Sequence, residues 1–114
     1  MIRNEKEGSK KSVKSIEIGN KIFDLQRLEL HHENHLIKLT NLEASLLNLF
    51  ALNPEKIISR KMVIDSLDLS QGRLDLNERN VDVQITRLRK KIEPNPTNPR
   101  HLKTIRGRGY RFLP

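Results

Sequence analysis

Residues 79–91 read Arg79-Asn80-Val81-Asp82-Val83-Gln84-Ile85-Thr86-Arg87-Leu88-Arg89-Lys90-Lys91, and the phase of this stretch decides the fold. At 100° per residue, Val81, Ile85, Leu88 and Ile92 fall within about 60° of one another, so a helix here buries one narrow apolar stripe. Asn80, Gln84, Arg87 and Lys91 form a second stripe about 100° away. Val83 and Lys90 face away from the core, and Asp82 and Arg89 lie on the other flank. Asn77 is placed to cap the start, and Glu93-Pro94 to end the helix near Ile92. The exposed side therefore offers amides and guanidiniums. These groups read base edges in a major groove, arginine pairing with guanine and Asn or Gln with adenine. The plain alternative is a solvated basic face.

The next segment weighs against that alternative. Leu102 to Leu113 reads as a hairpin with Arg106-Gly107-Arg108-Gly109 at its tip. Glycines permit positive φ in a tight turn and let the backbone approach a phosphate. An arginine on a narrow tip can enter a minor groove, where the potential is most negative. Tyr110 and Phe112 alternate with Arg111 and are expected to pack inward. The charge distribution agrees. Residues 79–114 hold 10 Lys/Arg against the acids Asp82 and Glu93, whereas residues 1–78 hold 12 of each sign. The whole net charge of +8 thus sits on one helix and one hairpin, as suits a surface that grips a polyanion.

At 114 residues the chain is long enough for one domain with one modest core. Aromatic residues make up only 4%, which disfavours base-stacking platforms for single strands. There is no Cys, hence no disulfide framework and no thiolate metal site, and the expected location is the cytoplasm. No apolar run approaches the ~18 residues of a membrane helix, so no membrane partner is expected. Residues 1–14 are rich in Lys, Ser and Glu and read as a flexible arm or linker, with the folded domain over 15–114.

Upstream of the helix, Ile16-Glu17-Ile18, Lys21 to Leu25, Leu28-Glu29-Leu30 and Leu36 to Leu39 alternate around turn signals and predict a small antiparallel sheet. Thr40-Asn41-Leu42-Glu43 has the spacing of a capping box. Leu42, Leu46, Leu49 and Phe50 are expected to line one face of the helix that follows, which Asn53-Pro54 ends. Ser59 should cap a second helix with Val63, Ile64 and Leu67 inward, fraying near Asp68 into a loop over residues 69–76.

These pieces together resemble the C-terminal effector domain of OmpR/PhoB-type response regulators, the winged helix-turn-helix outputs of two-component signalling. The resemblance runs from about Ile16 to Leu113. It is carried by Leu39-Thr40-Asn41-Leu42-Glu43, by residues 79–91, and by Thr104-Ile105-Arg106-Gly107-Arg108-Gly109-Tyr110-Arg111-Phe112. It implies an α+β winged helix-turn-helix: an N-terminal antiparallel sheet, three helices and a C-terminal β-hairpin wing. It implies that Asn80, Gln84 and Arg87 lie nearest base edges. Arg79, Arg89, Lys90, Lys91, Thr104 and Arg108 are then expected at phosphates, and Arg106 in the minor groove. The segment with Leu69, Gly72, Leu74 and Leu76 matches the loop that faces RNA polymerase in activators. The implied partners are double-stranded DNA, as tandem direct repeats, RNA polymerase, and a receiver domain on the N-terminal side of a longer parent. The chain departs from the family at Asp68, near a place that often carries Trp. It departs again at Arg108, where many members are uncharged.

An enzyme is not expected. His31-His32-Glu33-Asn34-His35 invites a metal reading, but adjacent strand residues point to opposite faces and three imidazoles do not converge easily. No nucleophile–base pair or phosphate loop is evident, and no cofactor is implied. The rival binding functions are a basic RNA-binding module and a winged helix used for protein contact.

Overall fold

A computed structural model describes residues 14–72 and 75–114. The expected arm therefore lies outside the described residues apart from Lys14, as does Leu74 of the expected polymerase-facing loop.

The first four strands are β1 (Ser15–Ile18), β2 (Lys21–Asp24), β3 (Glu29–His32) and β4 (His35–Ile37), each antiparallel to the next in one sheet. The β3–β4 turn uses Glu33 and Asn34 at φ 51° and 67°, the left-handed pair that matches strand twist in a two-residue hairpin. Ile18, Phe23 and Leu30 point inward and are buried.

Helix α1 (Asn41–Leu52) starts on the capping box expected for it. Thr40 Oγ1 accepts the Glu43 N–H at 3.1 Å, and Glu43 Oε1 accepts the Thr40 N–H at 2.9 Å. Its buried face is rotated from the expected one. Leu46, Leu47, Phe50 and Ala51 are buried, while Leu42 and Leu49 pack only partly against the core. The cause is that α1 meets the other two helices and the last strand of the chain at once, so its apolar face is broad.

Strand β5 (Ile57–Ile58) was not expected; it pairs with the last strand and is too short to show a period. Helix α2 (Arg60–Gln71) begins on Ser59, whose hydroxyl accepts the Met62 N–H at 3.1 Å. It runs past Asp68, because Leu67 is buried and Gln71 Nε2 donates to Ser45 Oγ of α1 at 2.6 Å. Leu69 is consequently in the last turn of a helix, and the loop begins at Gly72, with φ of 84°. Helix α3 (Glu78–Ile92) has the predicted bounds and the predicted buried stripe of Val81, Ile85, Leu88 and Ile92.

Strands β6 (Leu102–Ile105) and β7 (Gly109–Phe112) form the C-terminal hairpin, which β5 widens to a three-stranded sheet in the order β5-β7-β6. The connector after α3 is folded back by the buried Glu93, whose carboxylate accepts backbone N–H groups of Arg100 (2.7 Å), His101 (3.0 and 3.1 Å) and Leu102 (2.7 Å). One core joins the four-stranded sheet, the helices and the hairpin. This is the winged helix-turn-helix expected from the sequence.

Candidate nucleic-acid interface

The stripe opposite the buried side of α3 is the part of the helix left to solvent. It comprises Arg79, Val83, Thr86, Arg87 and Lys90, all exposed, with Val83 at 41%. Their spacing of four, three, one and three residues keeps them on one face. The Asn80–Gln84–Lys91 line lies to one side of this ridge, and all three residues are only part exposed.

Each flank of α3 is committed to a neighbour. On one side, Lys91 Nζ donates to Glu43 Oε1 of α1 and, at 2.7 Å, to the Lys38 carbonyl. Glu43 is 3% exposed. Burial alone raises its carboxyl pKa, but the bonds from Lys91 and Thr40 outweigh burial and hold it below the ordinary value. Lys91, expected at a phosphate, thus neutralises a buried carboxylate. Asn80 also has an internal task. It sits third in α3 and its Oδ1 accepts the Asn77 N–H at 2.8 Å, while Asn77 Oδ1 accepts the Asn80 N–H at 2.9 Å. A bidentate contact with adenine needs that same oxygen.

On the other side, α3 meets the wing. Arg89 Nε and Nη2 donate to the Leu102 carbonyl at 3.0 and 2.7 Å, and Nη2 donates to Thr104 Oγ1 at 2.9 Å. Burial pulls the pKa of this guanidinium down from its ordinary value. Asp82 accepts Arg60 Nε at 2.7 Å and the Tyr110 hydroxyl. Burial raises the Asp82 carboxyl, and the Tyr110 and Arg60 bonds more than reverse it. The Tyr110 phenol is pushed up to about 12, first by burial and then by the Asp82 carboxylate it donates to.

The wing tip is open. Arg106, Gly107 and Arg108 are exposed, and the Arg108 N–H closes the turn onto the Ile105 carbonyl at 2.9 Å. Gly107 has φ of 74°. Gly109 has φ of 140°, and a Cβ there would stand 2.2 Å from the Ile58 carbonyl oxygen, so the base of the wing lies directly on β5.

Of the residues predicted to touch DNA, Arg79, Arg87, Lys90, Arg106 and Arg108 are exposed, their side chains without a hydrogen bond or ion pair among the described residues, and Gln84 borders the ridge. Arg89 and Thr104 are bonded to each other between helix and wing. Val83 and Thr86 join the ridge; helical phase alone places Val83 there, but reasoning from hydrogen-bonding side chains passes over an exposed valine. Farther off, Leu69 is 88% exposed at the end of α2, and Leu76 packs partly on the core. Both line a cleft with Asp65, Asp68 and Asp75.

His32 and His35 are opposite each other across β3 and β4, with His31 on the other face. No group of three His, Asp or Glu among the described residues is placed to hold a metal ion. Among those residues, no helix is long and apolar enough to cross a membrane.

Comparison with known proteins adds the following. The family model described as "Transcriptional regulatory protein, C terminal" matches residues 33–112. Protein PetR of Rhodobacter capsulatus is 42% identical over 104 residues, covering 89% of this chain and 44% of PetR. The chain thus spans about half the length of this curated relative. The Klebsiella pneumoniae RstA DNA-binding domain, solved in complex with the RstA box, is 30% identical with a TM-score of 0.72, covering 89% of this chain and 98% of that one. The Thermotoga maritima OmpR/PhoB homolog DrrB is 27% identical with a TM-score of 0.76, covering 93% of this chain and 47% of that one.

Proposed function

The chain belongs to the family of transcriptional regulatory protein C-terminal domains, the winged-helix effectors of OmpR/PhoB-type response regulators, and from that premise we propose that it binds double-stranded DNA in a sequence-specific manner as the output domain of such a regulator. One observation carries the reading. The exposed ridge of α3 and the arginine tip of the wing are built on one frame, and both are basic.

Helix α3 lies in the major groove. Arg87 and Gln84 offer hydrogen bonds to base edges, and the exposed methyls of Val83 and Thr86 suit the thymine methyl. Arg79, Lys90 and Arg108 neutralise phosphates, and Arg106 enters the adjacent minor groove. Asn80, Arg89, Thr104 and Lys91 support the surface rather than form it, since their polar atoms already serve the cap, the wing and Glu43. In a longer parent, a receiver domain precedes this one and pairs two copies on tandem direct half-sites. Contact with RNA polymerase, where the parent activates, uses Leu69 and the acidic cleft beside it.

Selection of bound duplexes from a random library tests the reading. The expected result is a motif repeated about one helical turn apart. Affinity for it should fall steeply between ~50 and ~200 mM salt. No enriched duplex, tighter binding to RNA, or a shallow salt slope would overturn it.

A further inference from the structure

The polar cluster between α3 and the wing is too well bonded to be a by-product of packing, and the DNA contacts proposed above do not use it. Three side chains from two helices converge on Tyr110. Asp82 of α3 accepts its hydroxyl. Arg60, at the first position of α2, donates Nε to Asp82 at 2.7 Å and Nη2 to the Tyr110 hydroxyl at 3.3 Å, with its guanidinium carbon 5.0 Å from the ring centroid. Arg89 of α3 stands 5.7 Å from the same centroid and fastens β6 through Leu102 and Thr104. These bonds are charge-assisted, roughly twice as strong as neutral ones. Asp82 and Arg60 remain partly open to water, with side-chain exposures of 47% and 29%. The cluster therefore adds moderate stability, and its particular product is geometry.

Geometry is what a two-groove reader requires. The two-residue strand β5 pairs only with the base of the wing, and beyond it the hairpin is two-stranded, which is marginally stable by itself. A wing that pivots must be immobilised on binding, which costs affinity. We propose that Tyr110, held by Asp82 and Arg60, is a positioning residue that locks the wing at a fixed setting against the third helix, so that the minor-groove arginine arrives already in register with the major-groove contacts. This rests on the DNA-binding reading above. Tyr110 itself is almost wholly buried and acts through Arg106, not by touching DNA.

The test is a double-mutant cycle on the intact chain with its selected duplex. Tyr110→Phe keeps the ring and the cation–π contacts and removes the hydroxyl. We expect roughly tenfold weaker binding, comparable with ordering one or two side chains afresh. In an Arg106→Ala background, where the wing contact is gone, the same change should cost less than about threefold. Selection with Tyr110→Phe should keep the bases read by α3 and lose preference only where the wing enters. Equal losses in both backgrounds, or a preference relaxed evenly across the site, overturn the proposal. Asp82→Asn repeats the cycle should Tyr110→Phe melt at the assay temperature, and additivity there overturns it equally. A parent chain that binds no duplex sinks the DNA-binding reading instead, so the two failures are distinct.

Discussion

Replacing Lys91 by Met separates the two roles open to this residue. Met keeps most of the aliphatic stem and removes the ammonium group. Glu43 is then left with the Thr40 N–H as partner, at 2.9 Å, in a site where its side chain is 4% exposed. Removing one member of a buried ion pair costs about 3–5 kcal/mol, because the other charge stays buried without compensation. Lys91 is 30% exposed, so water can enter as the ammonium leaves, and the surviving Thr40 bond helps. Both push the expected cost to the low end, about 3 kcal/mol. For a domain of this size each kcal/mol moves the melting temperature by about 4–8 °C, so Lys91→Met should melt about 12–24 °C below the parent.

The pH dependence carries a sign. The folded carboxyl of Glu43 lies below its ordinary value of 4.5, so its contribution is complete above 4.5 and disappears as pH falls through the folded value. The gap between parent and Lys91→Met should therefore narrow on acidification. The salt dependence of DNA binding should be the same in both proteins, whereas Lys90→Ala lowers the slope by roughly one unit. Denaturation followed by circular dichroism, with a salt titration on the selected duplex, reads both quantities. A Lys91→Met protein that melts with the parent and loses a unit of slope would show Lys91 on a phosphate and refute the reasoning.

Tyr110 is the chain's one tyrosine and there is no Trp, so its phenolate absorbance can be titrated without interference. It should titrate near 12, and Asp82→Asn should lower it only in part, since burial, the larger cause, persists while the carboxylate is gone. The raised value means that the stability tied to the neutral phenol is complete below 10 and is lost as pH rises through about 12; an unmoved titration in Asp82→Asn would dismiss the hydrogen bond as its cause. Leu88→Ala empties a fully buried site and should destabilise the fold by roughly 2–5 kcal/mol in a denaturant melt, a parent-like midpoint showing that the helix is rotated. Gly109→Ala places a methyl 2.2 Å from the Ile58 carbonyl at φ of 140°, so it should cost at least about 1–3 kcal/mol and weaken binding to the selected duplex; parent-like values in both assays would mean that the wing is not seated on β5.

What the sequence discloses depends on the range of the interaction. The α3 stripe was legible because Val81, Ile85, Leu88 and Ile92 repeat with the helix period, and the caps at Thr40, Ser59 and Asn77 are each satisfied within three residues. Strand β5 was not, since Ile57 and Ile58 are strand only by pairing with Tyr110 and Arg111 more than fifty residues later. The end of α2 was misplaced for a similar reason: Gln71 finds its partner Ser45 on another helix, 26 residues away. At the interface, helical phase sorted buried from exposed but could not say which polar side chains were already engaged. Lys91 and Glu43 are 48 residues apart, and Arg89 and Thr104 are 15 apart across a connector.

That last distinction bears on how charge is used. Residues 79–114 carry 10 cations, and a simple count would assign most of them to phosphates. Lys91 instead cancels a buried acid, and Arg89 supplies donors to a carbonyl and a hydroxyl between helix and wing. Two cations of the densest run, Arg87 to Lys91, are thus spent inside the domain, and the ridge keeps Arg87 and Lys90 from that run. With Arg79, Arg106 and Arg108 added, the proposed interface offers about five cations to displace counterions, so the expected salt slope is near −4 to −5 rather than the −9 that ten phosphate contacts would give. A basic segment can therefore announce a polyanion partner correctly while overstating how many charges meet it, because the same arginines and lysines that suit phosphate also suit the joints that hold a recognition helix in place.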